Sequence, residues 1–438
     1  MIRRKQGHLR TTSAAAVILL SSLWAQASVA QGISGELLES DLPFSPSRGR
    51  NIAVPERPRP AYEASGVRAG SFILLPQVEA GVGYISNVYS SSINPKGDGY
   101  AYVAPSIVAK SDWSRHAVIV AAGADFQRYF KLGSENHTDW YVEGQGRLDI
   151  VGDSNIAFIQ RFAKTTEPRY AEGFPDDAAE PVPVRTMAST VRGTYQGARV
   201  RLIGAGSYTR LNYADVDSLA GGIVDQDYRD RHIARISGRA EYAFTPDAAV
   251  FVQVSHARIK YNHFTLPIDN RSADENQVLA GVSMDLSGVM RGTFGVGYVR
   301  RNFDLATYGK SDGFVADARV EWFVTQLTTV TATVHRYLRD SAVRGAGGYF
   351  DNQIGLRIDH ELLRNLLLFA QAEFRHDKYQ RIDRRDNITF VGGGARYLMN
   401  PSWELGGRVE YTDRSSHGAD GGRNVNELRA LLSITWKR

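Results

Sequence analysis

The feature that most restricts this chain is a period of two residues in its apolar side chains, which persists from about Gln77 to the C-terminus. One face of the segment HAVIVAAGADFQRYF (His116–Phe130) carries Val118, Val120, Ala122, Ala124 and Phe126. Because successive side chains of a β-strand point to opposite faces, this period predicts strands with one apolar face. No later segment holds a long 3.6-residue period or about eighteen uninterrupted apolar residues, so membrane-spanning helices are not expected.

The connections between these segments alternate in length. Short turns such as VGDS (Val151–Ser154) and TPDA (Thr245–Ala248) alternate with long polar loops such as TDRSSHGADGGRN (Thr412–Asn424). Short periplasmic turns and long extracellular loops are typical of outer-membrane barrels. The apolar face then contacts lipid, the polar face lines a lumen, and closure of the sheet pairs the backbone groups in the bilayer. We predict an all-β fold: a transmembrane antiparallel up-and-down β-barrel of about 18 strands, in a range of roughly 16 to 18.

A water-soluble sandwich and a propeller are the alternative architectures, because both also alternate. The aromatic residues favour the barrel. Trp322 and Trp403 lie on the apolar face beside short turns, whereas Trp140 and Tyr208 lie towards long loops. Two such aromatic belts are expected where a barrel crosses the two membrane interfaces.

The first 75 residues divide into two segments. Residues 1–30 combine a basic start, the apolar run AAAVILLSSLW and the small residues AQASVA, which predicts a secretory signal peptide cleaved after Ala27 or Ala30. Residues 31–75 lack apolar periodicity and predict a Pro/Arg-rich periplasmic linker, with VPERPRPAYE (Val54–Glu63) extended like polyproline. Residues 76–438 are predicted to form the barrel.

Composition excludes several classes of protein. Hydrophobic residues make up 43% of the chain, which excludes disorder, and the lack of cysteine excludes a disulfide framework or a cysteine-linked lipid anchor. The net charge of +5 does not indicate nucleic-acid binding, because the predicted signal peptide contains four basic and no acidic residues. We expect no nucleic-acid partner.

The polar faces of the strands carry charges that are expected to point into the lumen. They are Arg192, Arg201, Arg235, Arg239, Arg319, Arg357, Arg375, Arg408, Glu143, Asp317, Glu321, Asp359, Glu373 and Glu410. The simpler interpretation is pairing across the strands, which hydrates and stiffens the wall. The alternative is a transverse field that selects polar or charged solutes.

The third long loop, KTTEPRYAEGFPDDAAEPVPV (Lys164–Val184), has five carboxylates against two cations. An exposed loop stiffened by prolines is the simpler expectation. If the loop instead enters the lumen, Glu172, Asp176 and Asp177 are candidate constriction residues that would attract cations.

Catalytic and ligand-binding motifs are missing from the sequence. There is no Gly-x-Ser-x-Gly or His-Glu-x-x-His motif, and GGGARY at Gly392 lacks the lysine of a phosphate loop. His335, His360 and His376 stand singly among strand residues, without ligand spacing. We expect no catalytic residue, no cofactor and no metal. A barrel hydrolase assembled from distant Asp, His and Ser is the remaining enzymatic alternative.

The segment VPERPRPAYEASGVRAGSFILLPQVEAGVGYISNVYSS (Val54–Ser91) resembles a known family, the putative beta-barrel porins of the second type in Gram-negative outer membranes. The resemblance is carried by Arg57, Pro58, Arg59, Pro60, Tyr62, Gly66, Arg68, Gly70, Ser71, Phe72, Pro76, Gly81, Asn87 and Tyr89. Family members often have acidic residues before the Asn, where this chain has Ile85 and Ser86. The resemblance implies an outer-membrane barrel, and some members are associated with exopolysaccharide export.

These observations predict a porin-like channel for polar solutes, or a component of exopolysaccharide export, in the cell outer membrane. The alternative is a loop-plugged structural or anchoring barrel without transport. The expected partners are outer-membrane lipid and lipopolysaccharide, the barrel assembly machinery, and polysaccharide export components.

Overall fold

Residues 51–262 and 270–438 are described by the computed structural model, so the predicted signal peptide lies outside the described residues. Eighteen long antiparallel strands form one closed sheet. The first long strand pairs with the last, from Gln77 opposite Lys437 to Ile85 opposite Arg429. The predicted fold class is therefore confirmed.

The long strands are β2 Phe72–Ile85, β3 Asp98–Ser111, β4 Ala117–Tyr129, β5 His137–Asp149, β6 Asn155–Thr166, β7 Pro183–Gln196, β8 Val200–Tyr213, β11 Arg231–Thr245, β12 Ala248–Tyr261, β13 Ala273–Ser287, β14 Met290–Phe303, β15 Lys310–Thr325, β16 Thr328–Arg339, β17 Tyr349–Leu363, β18 Leu366–Tyr379, β19 Arg385–Asn400, β20 Trp403–His417 and β21 Val425–Lys437. The short strands are β1 Val67–Ala69, β9 Val216–Asp217 and β10 Ile223–Val224. Single 3₁₀ turns occupy Val54–Glu56, Pro60–Tyr62, Gly133–Glu135 and Asp227–Arg229. In the described ranges, no helix is long and apolar enough to cross a membrane.

The two ends of the barrel differ in the length of their connections. At one end, β11–β12 and β13–β14 are joined by residues 246–247 and 288–289. At the other end, residues 167–182 join β6 to β7 and residues 214–230 join β8 to β11. This difference confirms the predicted layout, with short periplasmic turns opposite long extracellular loops.

Strand β12 shows how alternation separates the two faces of the wall. Its outward side chains are exposed and apolar, namely Val250, Val252 and Val254. Its inward side chains are buried, namely Phe251, Gln253 and Ser255. An apolar outer face removes the need to desolvate polar groups in lipid, whereas polar groups on the inner face find partners in the lumen. The polar side chains that could form a functional site therefore lie on the inside of the barrel.

The first membrane strand begins before the predicted boundary at residue 76. Strand β2 starts at Phe72, and β1 pairs back onto it through Gly70, whose positive φ of 60° suits glycine. The run Phe72–Leu75 is uniformly apolar, so the alternation that marked the other strands is missing from its start. The barrel therefore includes the last residues of the predicted linker.

Replacing Val120 with arginine is expected to impair assembly of the barrel. Val120 is 45% exposed on the outer face of β4, where a guanidinium in the middle of the bilayer costs about 2–4 kcal/mol. Gln145→Arg on the neighbouring strand should be tolerated, because the Gln145 amide faces the lumen and donates to Glu143 at 2.6 Å. Heat-modifiable gel migration measures folding of both variants. If the two variants migrate alike, the assignment of inner and outer faces is wrong.

Candidate functional site

The lumen encloses a cavity of about 780 Å³. Tyr170 and Glu172 bound it towards the extracellular side, and Ala53 and Glu56 bound it towards the periplasmic side. A second cavity of about 280 Å³ lies beside it against β2–β6, and both contact Arg408, Glu410 and Arg429. The candidate site is therefore an interior space that segments of the same chain narrow at both ends.

Nine of the charged residues that were expected in the lumen line the larger cavity: Arg235, Arg319, Glu321, Arg357, Asp359, Glu373, Arg375, Arg408 and Glu410. Four others point inward and pair within the wall. Arg201 and Arg239 contact Glu241, Glu143 contacts Arg161, and Asp317 contacts His335. Arg192 is exposed near the short-turn end of β7 and forms no ion pair with a described residue.

Several arginines pair with a carboxylate two residues further along the chain, all within one strand except Arg384, which lies directly before β19. The pairs have N–O distances of 2.6–3.6 Å: Arg239–Glu241, Arg319–Glu321, Arg357–Asp359, Arg375–Asp377, Arg384–Asp386 and Arg408–Glu410. Residues two apart share one face of a strand, so the spacing Arg-x-Asp/Glu was a signal in the sequence that the expected list did not use. Pairing along and across strands supports the simpler interpretation of a stiff, hydrated wall.

The loop of residues 167–182, here called the inner loop, crosses the extracellular mouth. Glu172 accepts hydrogen bonds from the Tyr379 hydroxyl at 2.6 Å and from the backbone N–H of Ala342 at 2.9 Å. Arg414 donates to the carbonyl of Tyr170 at 2.6 Å. These partners belong to β18, to the β16–β17 loop and to β20, so the loop reaches strands across the barrel from its own.

Only one of the three candidate constriction residues lies inside the mouth. Glu172 borders the cavity. The Asp176 side chain is 78% exposed and pairs with Arg423 at 2.9 Å, and Asp177 accepts from the Ser218 hydroxyl at 3.2 Å. Arg169, which binds Glu135, also donates to the carbonyl of Ala178 and holds this half of the loop on the rim. The loop does enter the lumen, but its two aspartates do not.

Buried ion pairs fasten the inner loop to the wall. The Arg229 guanidinium contacts Glu167 at 2.5 Å and lies 3.9 Å from the centre of the Tyr213 ring. Burial alone would lower the pKa of Arg229, but the Glu167 carboxylate raises this pKa above its usual range. The guanidinium therefore stays charged and depends on Glu167 for its partner.

Asp340 is at the centre of a second buried cluster of charged residues, at the extracellular end of the barrel. Its carboxylate contacts Arg231 at 2.8 Å and Arg301 at 3.4 Å, and it accepts from the Tyr261 hydroxyl at 2.7 Å. Burial alone would raise the pKa of Asp340, but Arg231, Arg301 and Arg271 together hold this pKa below its usual value. The cluster joins the β16–β17 loop, against which Glu172 rests, to β11, β12 and β14.

The periplasmic mouth is narrowed by residues 51–62, here called the mouth segment. Arg57 and Arg59 both contact the Glu361 carboxylate, at 3.0 and 2.8 Å. The Val54 side chain is 2% exposed, and its backbone N–H donates to the Thr329 hydroxyl at 3.1 Å. Residues 51–62 of the predicted periplasmic linker are therefore fixed in the barrel mouth, which the linker's lack of apolar periodicity did not indicate.

The mouth segment also brings a half-buried carboxyl beside the wall. Glu56 lies 3.8 Å from Arg291. Its burial and the nearby Glu321 raise the pKa of Glu56, and Arg291 only partly offsets this. The segment is thus held by polar contacts with the wall, and its partners come from β14–β17.

The expected lack of catalytic and metal sites is not tested by the structure, which nevertheless places the residues that were considered. His335 contacts Asp317, His360 contacts Thr328, and His376 contacts Asn387. On the β8–β11 loop, oxygens of the exposed Asp215, Asp225 and Asp227 lie within 4.8 Å of one another. Exposed acidic groups at this spacing are common in loops, so we assign no metal to them.

Comparison with known proteins gives a family and a set of similar folds. The model of the family described as "Putative beta-barrel porin 2" matches residues 59–438. No curated protein matches the sequence. The structure is similar to the outer membrane protein OpdK of Pseudomonas aeruginosa, with a TM-score of 0.44, 10% identity, and coverage of 83% of this chain and 99% of that chain. It is also similar to OccAB3 of Acinetobacter baumannii, with a TM-score of 0.46, 10% identity, and coverage of 83% and 99%.

A variant of the ferric enterobactin receptor PfeA of Pseudomonas aeruginosa has a TM-score of 0.48 and 7% identity, with coverage of 83% of this chain and 80% of that chain. The family model spans the closed sheet and begins at Arg59, within the mouth segment. The chain belongs to the beta-barrel porin 2 family of porin-like outer-membrane barrels.

Proposed function

We propose that this protein is an outer-membrane channel for polar, saccharide-like solutes whose two mouths are narrowed by its own chain. The observation that carries the proposal is the cavity of about 780 Å³ between the inner loop and the mouth segment. Both elements are fastened by hydrogen bonds and ion pairs. A hydrogen bond to a charged group contributes only about 1.5–3 kcal/mol net, so contacts of this kind suit elements that narrow a passage without sealing it.

The lining of the cavity supports a saccharide-like solute. Thr331 and Thr333 line it between the half-exposed guanidiniums of Arg319 and Arg357, and Gln371 lines it opposite Arg357. Hydroxyl and amide groups donate and accept hydrogen bonds with the hydroxyls of a sugar, and guanidinium groups donate to them. Export of an exopolysaccharide is the finer form of this proposal, since a hydrated sugar chain would find such partners along the wall.

The second candidate function is a structural or anchoring barrel without transport. The observation that favours it is the occupation of both mouths, where Glu172 contacts Tyr379 and Arg59 contacts Glu361. In this case the polar cavity would hold only water.

Bilayer conductance and liposome swelling of the full-length protein test the proposal. We expect discrete, low-conductance steps in planar bilayers, because two segments narrow the path. Proteoliposomes should swell in solutions of small neutral sugars, and the rate should fall as the sugar grows to an oligosaccharide. A folded protein that gives no steps and no swelling, even after the mouth segment is removed, would establish the anchoring function instead.

A further inference from the structure

A row of basic side chains lies on the outer face of the barrel at its long-loop end. It consists of Lys164 on β6, Arg185 on β7, Arg210 on β8, and His232 and Lys260 on β11 and β12, here called the outer cation patch. The chain neighbours of these residues point into the barrel. Val184 and Thr186, which flank Arg185, are buried. The residues that flank Arg210, His232 and Lys260 are buried as well: Thr209 and Leu211, Arg231 and Ile233, and Ile259 and Tyr261. Alternation therefore directs the cations outward.

The strand register makes the patch continuous. Lys164 is directly opposite Arg185, Arg210 is opposite His232, and His232 is opposite Lys260. Arg185 and Arg210 are diagonal neighbours, because Met187 is the residue opposite Arg210. Opposite side chains have Cβ atoms about 5 Å apart and diagonal neighbours about 7–8 Å apart. The patch therefore crosses five adjacent strands over roughly 20 Å, at about 4.8 Å per strand.

The four permanent cations of the patch differ from the arginines of the lumen in lacking a carboxylate. Lys164, Arg185, Arg210 and Lys260 form no ion pair with any carboxylate in residues 51–262 and 270–438, whereas lumen arginines such as Arg239 and Arg319 pair with a carboxylate two residues along their strands. Arg258, two residues below Lys260, pairs with Asp274 and Asp304 and marks the edge of the patch. Like charges that face each other across strands repel, so the pair Lys164 and Arg185 favours an external anion.

Aromatic residues place the patch at the height of the lipid headgroups. Trp140 is directly opposite Lys164, and the Tyr208 ring lies 5.8 Å from the His232 ring. Trp and Tyr on the outer face concentrate at the membrane interface. Below them, the exposed side chains of Phe162 and Ile236 belong to the apolar band that contacts acyl chains. The cations thus lie where lipid phosphates lie, above a surface for the tails.

We propose that the outer cation patch binds the phosphorylated sugar headgroup of an outer-leaflet glycolipid. The long loops place this end of the barrel in the outer leaflet. A single phosphate reaches two neighbouring strands, whereas a patch roughly 20 Å wide matches a headgroup with two or more phosphates. Basic clusters at a membrane surface attract anionic headgroups, and their attraction falls as salt screens the charges.

Native mass spectrometry of the full-length protein in detergent tests the site. The probe is a hexa-acylated glucosamine disaccharide with two phosphates, compared with the same glycolipid after dephosphorylation. The wild-type protein should retain the phosphorylated form and lose it as salt rises. The variant with Lys164→Gln, Arg185→Gln, Arg210→Gln and Lys260→Gln should bind it at least about tenfold more weakly.

The matched control removes two cations from the same outer face, one at the edge of the patch and one beyond it. Lys310→Gln combined with Arg258→Gln deletes two cations that already have carboxylate partners, Asp312 and Asp304. This control should bind like the wild-type protein. If the quadruple variant fails to fold, by heat-modifiable migration, Arg185→Gln with Arg210→Gln replaces it and should show a smaller loss. Equal retention of phosphorylated and dephosphorylated glycolipid, or equal binding by the patch and control variants, would overturn the proposal.

Discussion

Deletion of the mouth segment, residues 51–62, is expected to raise single-channel conductance several-fold. Its polar contacts hold it in the periplasmic mouth, where Glu361 binds Arg57 and Arg59 and where Val54 is buried against Thr329. Removing it clears the lower end of the cavity. Closure of the barrel should persist, because the sheet closes between β2 and β21 without the segment. Planar-bilayer recordings of the two proteins at equal salt measure the difference.

Side-chain variants separate release of the segment from a general disturbance. Arg57→Gln with Arg59→Gln should give an intermediate rise in conductance, because both contacts with Glu361 are lost. Arg68→Gln is the matched control, since Arg68 also pairs with a carboxylate, Asp112, but on the exposed β1–β2 hairpin outside the mouth. If the deletion variant is folded and conducts like the wild-type protein, the inner loop alone limits the current.

The fold could be predicted from the sequence because its determinants are local. A period of two residues and alternating connection lengths repeat in every hairpin, so each hairpin is independent evidence for the same wall. The series from Val118 to Phe126, for example, falls within β4, which runs from Ala117 to Tyr129. The start of β2 was missed because Phe72–Leu75 does not alternate.

The narrowed mouths could not be predicted because their contacts are distant in sequence. Glu172 and Tyr379 are separated by 207 positions, and Arg57 and Glu361 by 304. Periodicity assigns a side chain to the inner face of the wall, but it does not identify the strand across the lumen that a loop reaches. For the same reason Asp176 and Asp177 appeared equivalent to Glu172 in the sequence, although Arg169 and Arg423 hold that half of the loop on the rim.

The charge pairs of the wall could be predicted from the sequence only in part. The spacing Arg-x-Asp/Glu predicts a pair on one face of a strand, as in Arg357 and Asp359. It does not reveal that Glu321 also binds Arg291 from β14 and so serves two guanidiniums. Counts of lumen charge taken from the sequence therefore overstate the free charge that a solute meets, since most of it is compensated within the wall.

Replacing Glu167 with glutamine is expected to release the inner loop from the wall. The Arg229 side chain is 2% exposed, and Glu167 supplies its carboxylate at 2.5 Å. Removing one partner of a buried ion pair typically costs about 3–5 kcal/mol, because the remaining charge stays desolvated. This free energy destabilises the docked form of the inner loop, so the loop should leave the wall more often. Added protease should then cleave it faster, and the channel current should fluctuate more.

Two further variants show whether the unpaired charge is the cause. Glu180→Gln removes an exposed carboxylate from the same loop and should leave cleavage unchanged. Combining Glu167→Leu with Arg229→Met removes both charges and should restore much of the protection, because no buried ion remains without a partner. Cleavage of the Glu167→Gln protein at the wild-type rate would contradict this account. In that case the contacts of Glu172 with Tyr379 and Ala342 suffice to hold the loop across the mouth.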